Sequence, residues 1–180
     1  MDDNTILLKT VKKGINDKRV KYAVANVLNL PFADKSFDTV CAWDVIEHIE
    51  KGKEELMFTE VSRVLKGGGV FYLSCPCKSL ISVIFDPAWW FANHRHYSLR
   101  QLAALGKSSN LVFDRAMVCG KFWELIFLLN LYFSKWILKS KPVFEEFVNK
   151  KADKDFGGRG FMHIFVKLKK YSQLLIKMTS

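Results

Sequence analysis

Apolar positions along the chain recur with two periods, and the switches between them mark out the elements. Residues 5–14 carry Ile6, Leu7, Leu8 and Val11 at helical spacing, with Gly14 as the stop. Residues 20–27 (VKYAVANV) have the β-branched and aromatic make-up of a strand. Leu30-Pro31-Phe32 and the polar run Ala33-Asp34-Lys35-Ser36 then predict a turn. Residues 37–43 (FDTVCAW) read as a buried strand, and residues 44–49 return to helical spacing. A longer helix is expected over 53–65, with Leu56, Val61, Val64 and Leu65 facing inward and Gly67-Gly68-Gly69 ending it. Residues 70–74 (VFYLS) form the next apolar run, stopped by Pro76.

The second half continues the alternation. Ser98 with Gln101 three positions later is a helix-start signature, and Leu102 and Leu105 carry that helix to Gly106. Residues 111–118 predict a strand, 122–138 a strongly apolar helix, 150–160 a charged glycine-containing loop, 161–168 (FMHIFVKL) a last strand and 171–178 a short terminal helix. Short apolar strands alternating with amphipathic helices indicate an α/β sheet with parallel strands.

Composition narrows the class. A chain of 180 residues that is 49% apolar has enough material for one globular domain. The formal charge is +10, but the lysines are spread along the chain without an arginine-rich arm, so a solvated basic surface is favoured over a nucleic-acid groove. Cys41, Cys75, Cys77 and Cys119 form no CxxC pair or zinc-finger spacing and read as reduced, buried thiols. No charged-then-apolar leader is seen at the N-terminus, which points to the cytoplasm. Residues 122–138 are interrupted by Glu124, Asn130 and Lys135 and fall short of the roughly 20 apolar residues a bilayer core demands.

Three blocks carry a specific likeness. Asn26-Val27-Leu28-Asn29-Leu30-Pro31-Phe32-Ala33-Asp34-Lys35-Ser36-Phe37-Asp38-Thr39-Val40 is the first, and Val45-Ile46-Glu47-His48-Ile49 the second. Glu60-Val61-Ser62-Arg63-Val64-Leu65-Lys66 with three glycines and a strand ending at Pro76 is the third. Together, in this order and spacing, they resemble the class I S-adenosylmethionine-dependent methyltransferases of the type 11 domain family. The likeness extends more loosely over His94-Arg95-His96-Tyr97-Ser98 and the final strand. It implies a Rossmann-like, mostly parallel sheet flanked by helices, with strand order 3-2-1-4-5-7-6 and ligands beyond the carboxyl ends of the strands. It also implies S-adenosylmethionine as cofactor and methyl transfer to a small or lipid-like acceptor.

Within that resemblance, Asn26 supplies a side-chain acceptor and Val27 a backbone N–H for the adenine edge, with Leu28 beside them. The family usually has aspartate at the Asn26 position, and an amide oxygen still accepts from the adenine amino group. Trp43, at the end of its strand, lies by the sulfonium, where an aromatic face is favourable; a plain core role is the alternative. Asp2, or its neighbour Asp3, would hold the ribose hydroxyls, against a simple chain start. Glu47-His48 is usually structural in the family, orienting the helix after the strand, and His48 is the one candidate for catalysis. His94 and His96 form an HxH pair with no carboxylate or cysteine at ligand spacing, so no metal is expected and the loop reads as lining the acceptor pocket.

The family's glycine-rich turn after its first strand has no counterpart before Asn26. The resemblance therefore implies one methyltransferase domain over 1–180 missing its first strands. Its core motifs lie in 1–120, an apolar helix and basic loop inserted at 121–155, and the final strand and tail in 156–180. Weak S-adenosylmethionine binding, or none at all, is expected on this alignment. The alternative is a catalytically inactive module that binds a partner or membrane surface. The apolar helix at 122–138 reads as a lid over the acceptor, a dimer contact, or an interfacial helix on anionic lipid.

Overall fold

A computed structural model describes residues 17–91, 94–157 and 159–172. Among the described residues four strands form one sheet: β1 (Phe37–Trp43), β2 (Leu65–Pro76), β3 (Leu111–Cys119) and β4 (His163–Lys170). Their order is β1-β2-β4-β3, with β1 and β2 parallel and β4 antiparallel to both its neighbours. β1, β2 and β3 therefore run the same way. This is the 4-5-7-6 half of the strand order implied by the sequence, and the α/β class stands.

Six α-helices among the described residues accompany the sheet: α1 (Glu54–Val64), α2 (Leu80–Phe85), α3 (Pro87–Phe91), α4 (Leu99–Ser108), α5 (Phe122–Phe133) and α6 (Glu145–Phe156). A 3-10 turn (Ile46–His48) follows β1, and a π-helical segment (Ser134–Leu138) extends α5. α1 and α4 cover one face of the sheet. Met57, Phe58 and Val61 of α1 and Leu102 of α4 pack on Phe71, Leu73, Cys75, Ile164, Val166 and Leu168, whose alternation along β2 and β4 defines the core face. Phe58 meets Phe71 edge to face at 5.5 Å between ring centroids. Ser98 caps α4 as expected, in a full capping box with Gln101.

Several expectations are corrected. Residues 20–27 make no strand: among the described residues β1 pairs on one side only, with β2. β propensity without a partner cannot satisfy the backbone, and Val20 and Val24 stay exposed. Leu56 is 51% exposed, and Met57 and Phe58 take the inner face of α1 instead. The three glycines do not end the helix, which stops at Val64, but lie inside β2, where its register to β1 jumps from Phe37↔Leu65 to Thr39↔Val70. Gly68 has φ 80° there, and a Cβ on Gly69 would lie 2.9 Å from the Lys66 carbonyl oxygen. Much of the expected 150–160 loop is helix α6, whose sequence EEFVNKKADKDF keeps only Val148 and Ala152 buried and so hides its period. Cys41 is exposed rather than buried; all four cysteines are free. The expected helices at 5–14 and 171–178, and Asp2 and Asp3, lie at least in part outside the described residues.

Candidate functional site

The ends of β1 and β2 meet where the chain leaves the sheet. Asp44 follows β1 in a left-handed conformation, φ 50°. Its backbone N–H lies 3.2 Å from the Ser74 carbonyl oxygen and 3.0 Å from Ser74 Oγ, and that hydroxyl donates to Asp44 Oδ1 at 2.9 Å. This clamp aims the following 3-10 turn across the strand ends. No side chain caps the turn, so Glu47 and His48 do not serve as its caps.

Glu47 is buried, and its Oε2 has no hydrogen-bond partner. Its Oε1 lies 3.8 Å from His94 Nε2. Burial pushes the Glu47 carboxyl up to about 7, with the nearby Asp44 charge adding to it. His48 is exposed, its ring 5.2 Å from that of His94. Burial and the neighbouring His94 push the His48 imidazole below its ordinary value.

The loop between β2 and α4 supplies the rest. His94 Nδ1 lies 3.0 Å and His96 Nε2 2.8 Å from the same oxygen, Oδ2 of Asp86. Burial alone would raise the Asp86 carboxyl, but the two imidazoles hold it well below the usual carboxylate range. The same hydrogen bond raises the His94 imidazole above its ordinary value. His96 Nδ1 lies 3.0 Å from the Cys77 carbonyl oxygen and 3.1 Å from Ser82 Oγ, which ties α2 into the cluster. Arg95 pairs with Glu54 and donates to the Ile46 carbonyl at 3.0 Å, holding the loop against the 3-10 turn.

These groups line a cavity of about 830 Å³ that includes Glu47, His48, Trp89, His94, Arg95 and His96. A slightly larger one, about 850 Å³, lies at the opposite, amino ends of β1 and β2, among Lys35, Arg63, Asn110 and Lys170. Two of its cations are already engaged: Arg63 with Glu60, Asp34 and the Phe32 and Leu30 carbonyls, Lys170 with the Ser62 and Leu65 carbonyls. Ligands of open α/β sheets bind at the carboxyl ends, and the titratable groups converge there.

The expectation that the HxH pair lacks a carboxylate is overturned. Asp86, His94 and His96, and also Glu47, His48 and His94, bring ligand atoms within 4.8 Å of one another. Asp86 is eight residues from His94, and Glu47 comes from another loop, so linear spacing could not reveal either. The donor-side residues are less gathered. Asn26 is exposed, and its Oδ1 accepts the Leu28 N–H at 2.9 Å, leaving one lone pair. Val27 and Leu28 pack on the core's margin. Trp43 is 53% exposed and lies 6.1 Å, ring to ring, from Phe165 of β4. An exposed indole and a free amide lone pair fit the sulfonium and adenine of a nucleoside donor. The 830 Å³ cavity is not lined by Asn26, Val27, Leu28 or Trp43.

Comparison with known proteins bears on this geometry. Residues 1–73 match the family model described as a methyltransferase domain. A sterol 24-C-methyltransferase from Gibberella zeae is 38% identical over 60 residues, 33% of this chain and 15% of that protein. A SAM-dependent methyltransferase from Methanosarcina mazei superposes with a TM-score of 0.62 at 15% identity, covering 96% of this chain and 81% of that one. Geranyl diphosphate C-methyltransferase from Streptomyces coelicolor A3(2) has a TM-score of 0.55 at 15% identity over 90% of this chain and 56% of its own. That structure was determined with Mg²⁺, geranyl diphosphate and S-adenosyl-L-homocysteine. The chain thus spans little of the sterol enzyme and just over half of the geranyl diphosphate enzyme.

Proposed function

We propose that the chain is a class I S-adenosylmethionine-dependent methyltransferase that transfers a methyl group to a small or lipid-like acceptor, a reading supported by the family match over residues 1–73 and by the shared fold. One observation carries the reading. The carboxyl ends of the parallel pair β1–β2 open, within five residues of Trp43, onto a cleft of imidazoles and carboxyls.

Bound S-adenosylmethionine supplies an electrophilic methyl on a sulfonium. Asn26, Val27 and Leu28 would hold its adenine side and Trp43 would present its ring to the cation, with the ribose assigned by resemblance to Asp2, which lies outside the described residues. The acceptor lies in the cavity beside His48 and His94. With the donor bound, methyl transfer to the acceptor would leave the acceptor's proton to be taken up, and His48 is the group placed to receive it. The depressed His48 imidazole is neutral near pH 7 and so ready to take it. Asp86 fixes His94 beside it. Positioning carries most of the acceleration.

The lipid-like class of acceptor draws on the sterol and geranyl diphosphate enzymes and on the apolar helix α5. Residues 122–138 rest peripherally on a membrane surface in this reading; no helix among the described residues is long and apolar enough to cross one. A second reading, an inactive module, is favoured by the lack of a strand at 20–27 beside β1.

The test is transfer of labelled methyl from saturating S-adenosylmethionine into an organic-soluble fraction containing isoprenoid and sterol acceptors. Transfer is expected, with His48→Ala about 100-fold slower and donor binding unchanged. No transfer to any acceptor with the donor bound would favour the inactive module.

A further inference from the structure

Two segments at the carboxyl end of the sheet are built inside out. In α2, Ser82 is 1% exposed with its Oγ 3.1 Å from His96 Nδ1, while Leu80 (78% exposed), Ile81, Ile84 and Phe85 face outward. In the π-helical segment, Ser134 is fully buried, while Trp136, Ile137 (66% exposed) and Leu138 face outward, next to exposed Phe133. A surface helix in water has the reverse arrangement. Val143, Phe144 and Phe147 extend the outward apolar set. Phe144 is held at φ 52° with its side chain 79% exposed, a left-handed conformation that an aromatic residue rarely adopts.

The pieces are joined. α2 packs on α5. The Trp90 indole N–H donates to the Ile84 carbonyl at 3.2 Å, and Asn130 Nδ2 donates to the Val143 carbonyl at 2.7 Å. Charge identifies what such a surface meets. No acidic residue occurs between Glu124 and Glu145, whereas Lys135, Lys139 and Lys141 do, all exposed. Lys78, also exposed, precedes α2. Exposed Glu145 and Glu146 follow Phe144 at one margin, while Lys78, Lys135, Lys139 and Lys141 flank the rest; an apolar surface with this cationic side fits an anionic lipid leaflet, with the hydrocarbon taking the aromatics and the headgroups the lysines.

We propose that α2, Trp90, the segment from Phe133 to Leu138 and the turn carrying Val143 and Phe144 together dock this chain on an anionic bilayer surface. This deepens, and rests on, the lipid-like acceptor reading. α3 is shared between the two surfaces: Trp89 lies 5.3 Å from the His96 ring in the cavity wall, and its neighbour Trp90 points outward. An acceptor lying in the leaflet thereby reaches the cavity past one helical turn.

The experiment is co-sedimentation and tryptophan fluorescence with vesicles of phosphatidylcholine alone or with phosphatidylglycerol. Expected are binding that requires the anionic lipid and weakens with salt, and a blue-shifted emission quenched by brominated acyl chains. Leu80→Glu with Ile137→Glu should abolish binding. Replacing Lys135, Lys139 and Lys141 by alanine should weaken it on the order of 100-fold. Circular dichroism of each variant checks that it folds. No vesicle binding at low salt, equal binding to neutral vesicles, or burial of this face in a dimer by light scattering would each overturn the proposal. Methyl transfer to a short, water-soluble acceptor, measured without vesicles, separates failure of the docking from failure of the proposed activity.

Discussion

The Glu47 carboxyl has one imidazole at 3.8 Å and no hydrogen-bond donor at Oε2. Water would stabilise its charge better than this pocket does. Between 4.5 and about 7 the folded chain keeps the proton that the unfolded chain releases. Stability from this group therefore falls as pH rises through that window. His94 acts in the same sense: Asp86 raises it, so its contribution is complete at low pH and is lost as pH climbs past its folded value. Thermal melts should give a lower Tm at pH 8 than at pH 6. Glu47→Gln should shrink that difference, regaining up to on the order of 3 kcal/mol at pH 8. An unchanged difference in that variant would mean that the carboxyl is not desolvated as described. Trp43 and Asn26 could be singled out because a motif fixes their places along the chain, and their part in holding a donor rests on the proposed function. Glu47, Asp86 and His94 were not legible as a cluster, because they converge from separate loops.

At the scale of elements, the strands with same-face alternation and the capped helix were read closely: β1 and α4 lie where the pattern put them, within a residue or two. The failures share a cause. Residues 20–27 have strand chemistry without a ladder partner, and α6 has too little buried surface to reveal a helical period. α2 and α3 are too short to show one, and α2 is inverted besides. Packing between elements yields sharper expectations. Phe58 is fully buried against Phe71, and Phe58→Ala should cost about 3–5 kcal/mol in denaturant melts. Gly106 lets α4 approach the sheet, since a Cβ there would lie 2.5 Å from Leu168 Cδ2 and 3.0 Å from the Leu111 carbonyl oxygen. Gly106→Ala should destabilise measurably despite alanine's better helix propensity, whereas a gain would mean that Leu168 gives way freely.

Across the whole molecule, the order β1-β2-β4-β3 puts the turn after β1, the loop after β2 and the long excursion between β3 and β4 at one end of the sheet. Cavity, imidazole cluster and outward apolar surface all lie there, which is why a single face serves acceptor and membrane in this account. The arrangement stands or falls with the donor lying at the end of β1. Ultraviolet cross-linking of radiolabelled S-adenosylmethionine, followed by peptide mapping, tests this directly. The account predicts label on the peptides bearing Asn26 to Leu28 and Trp43, displaced by S-adenosylhomocysteine. Label confined to the opposite cavity, around Lys35, Asn110 and Lys170, or label that the competitor does not displace, would contradict it.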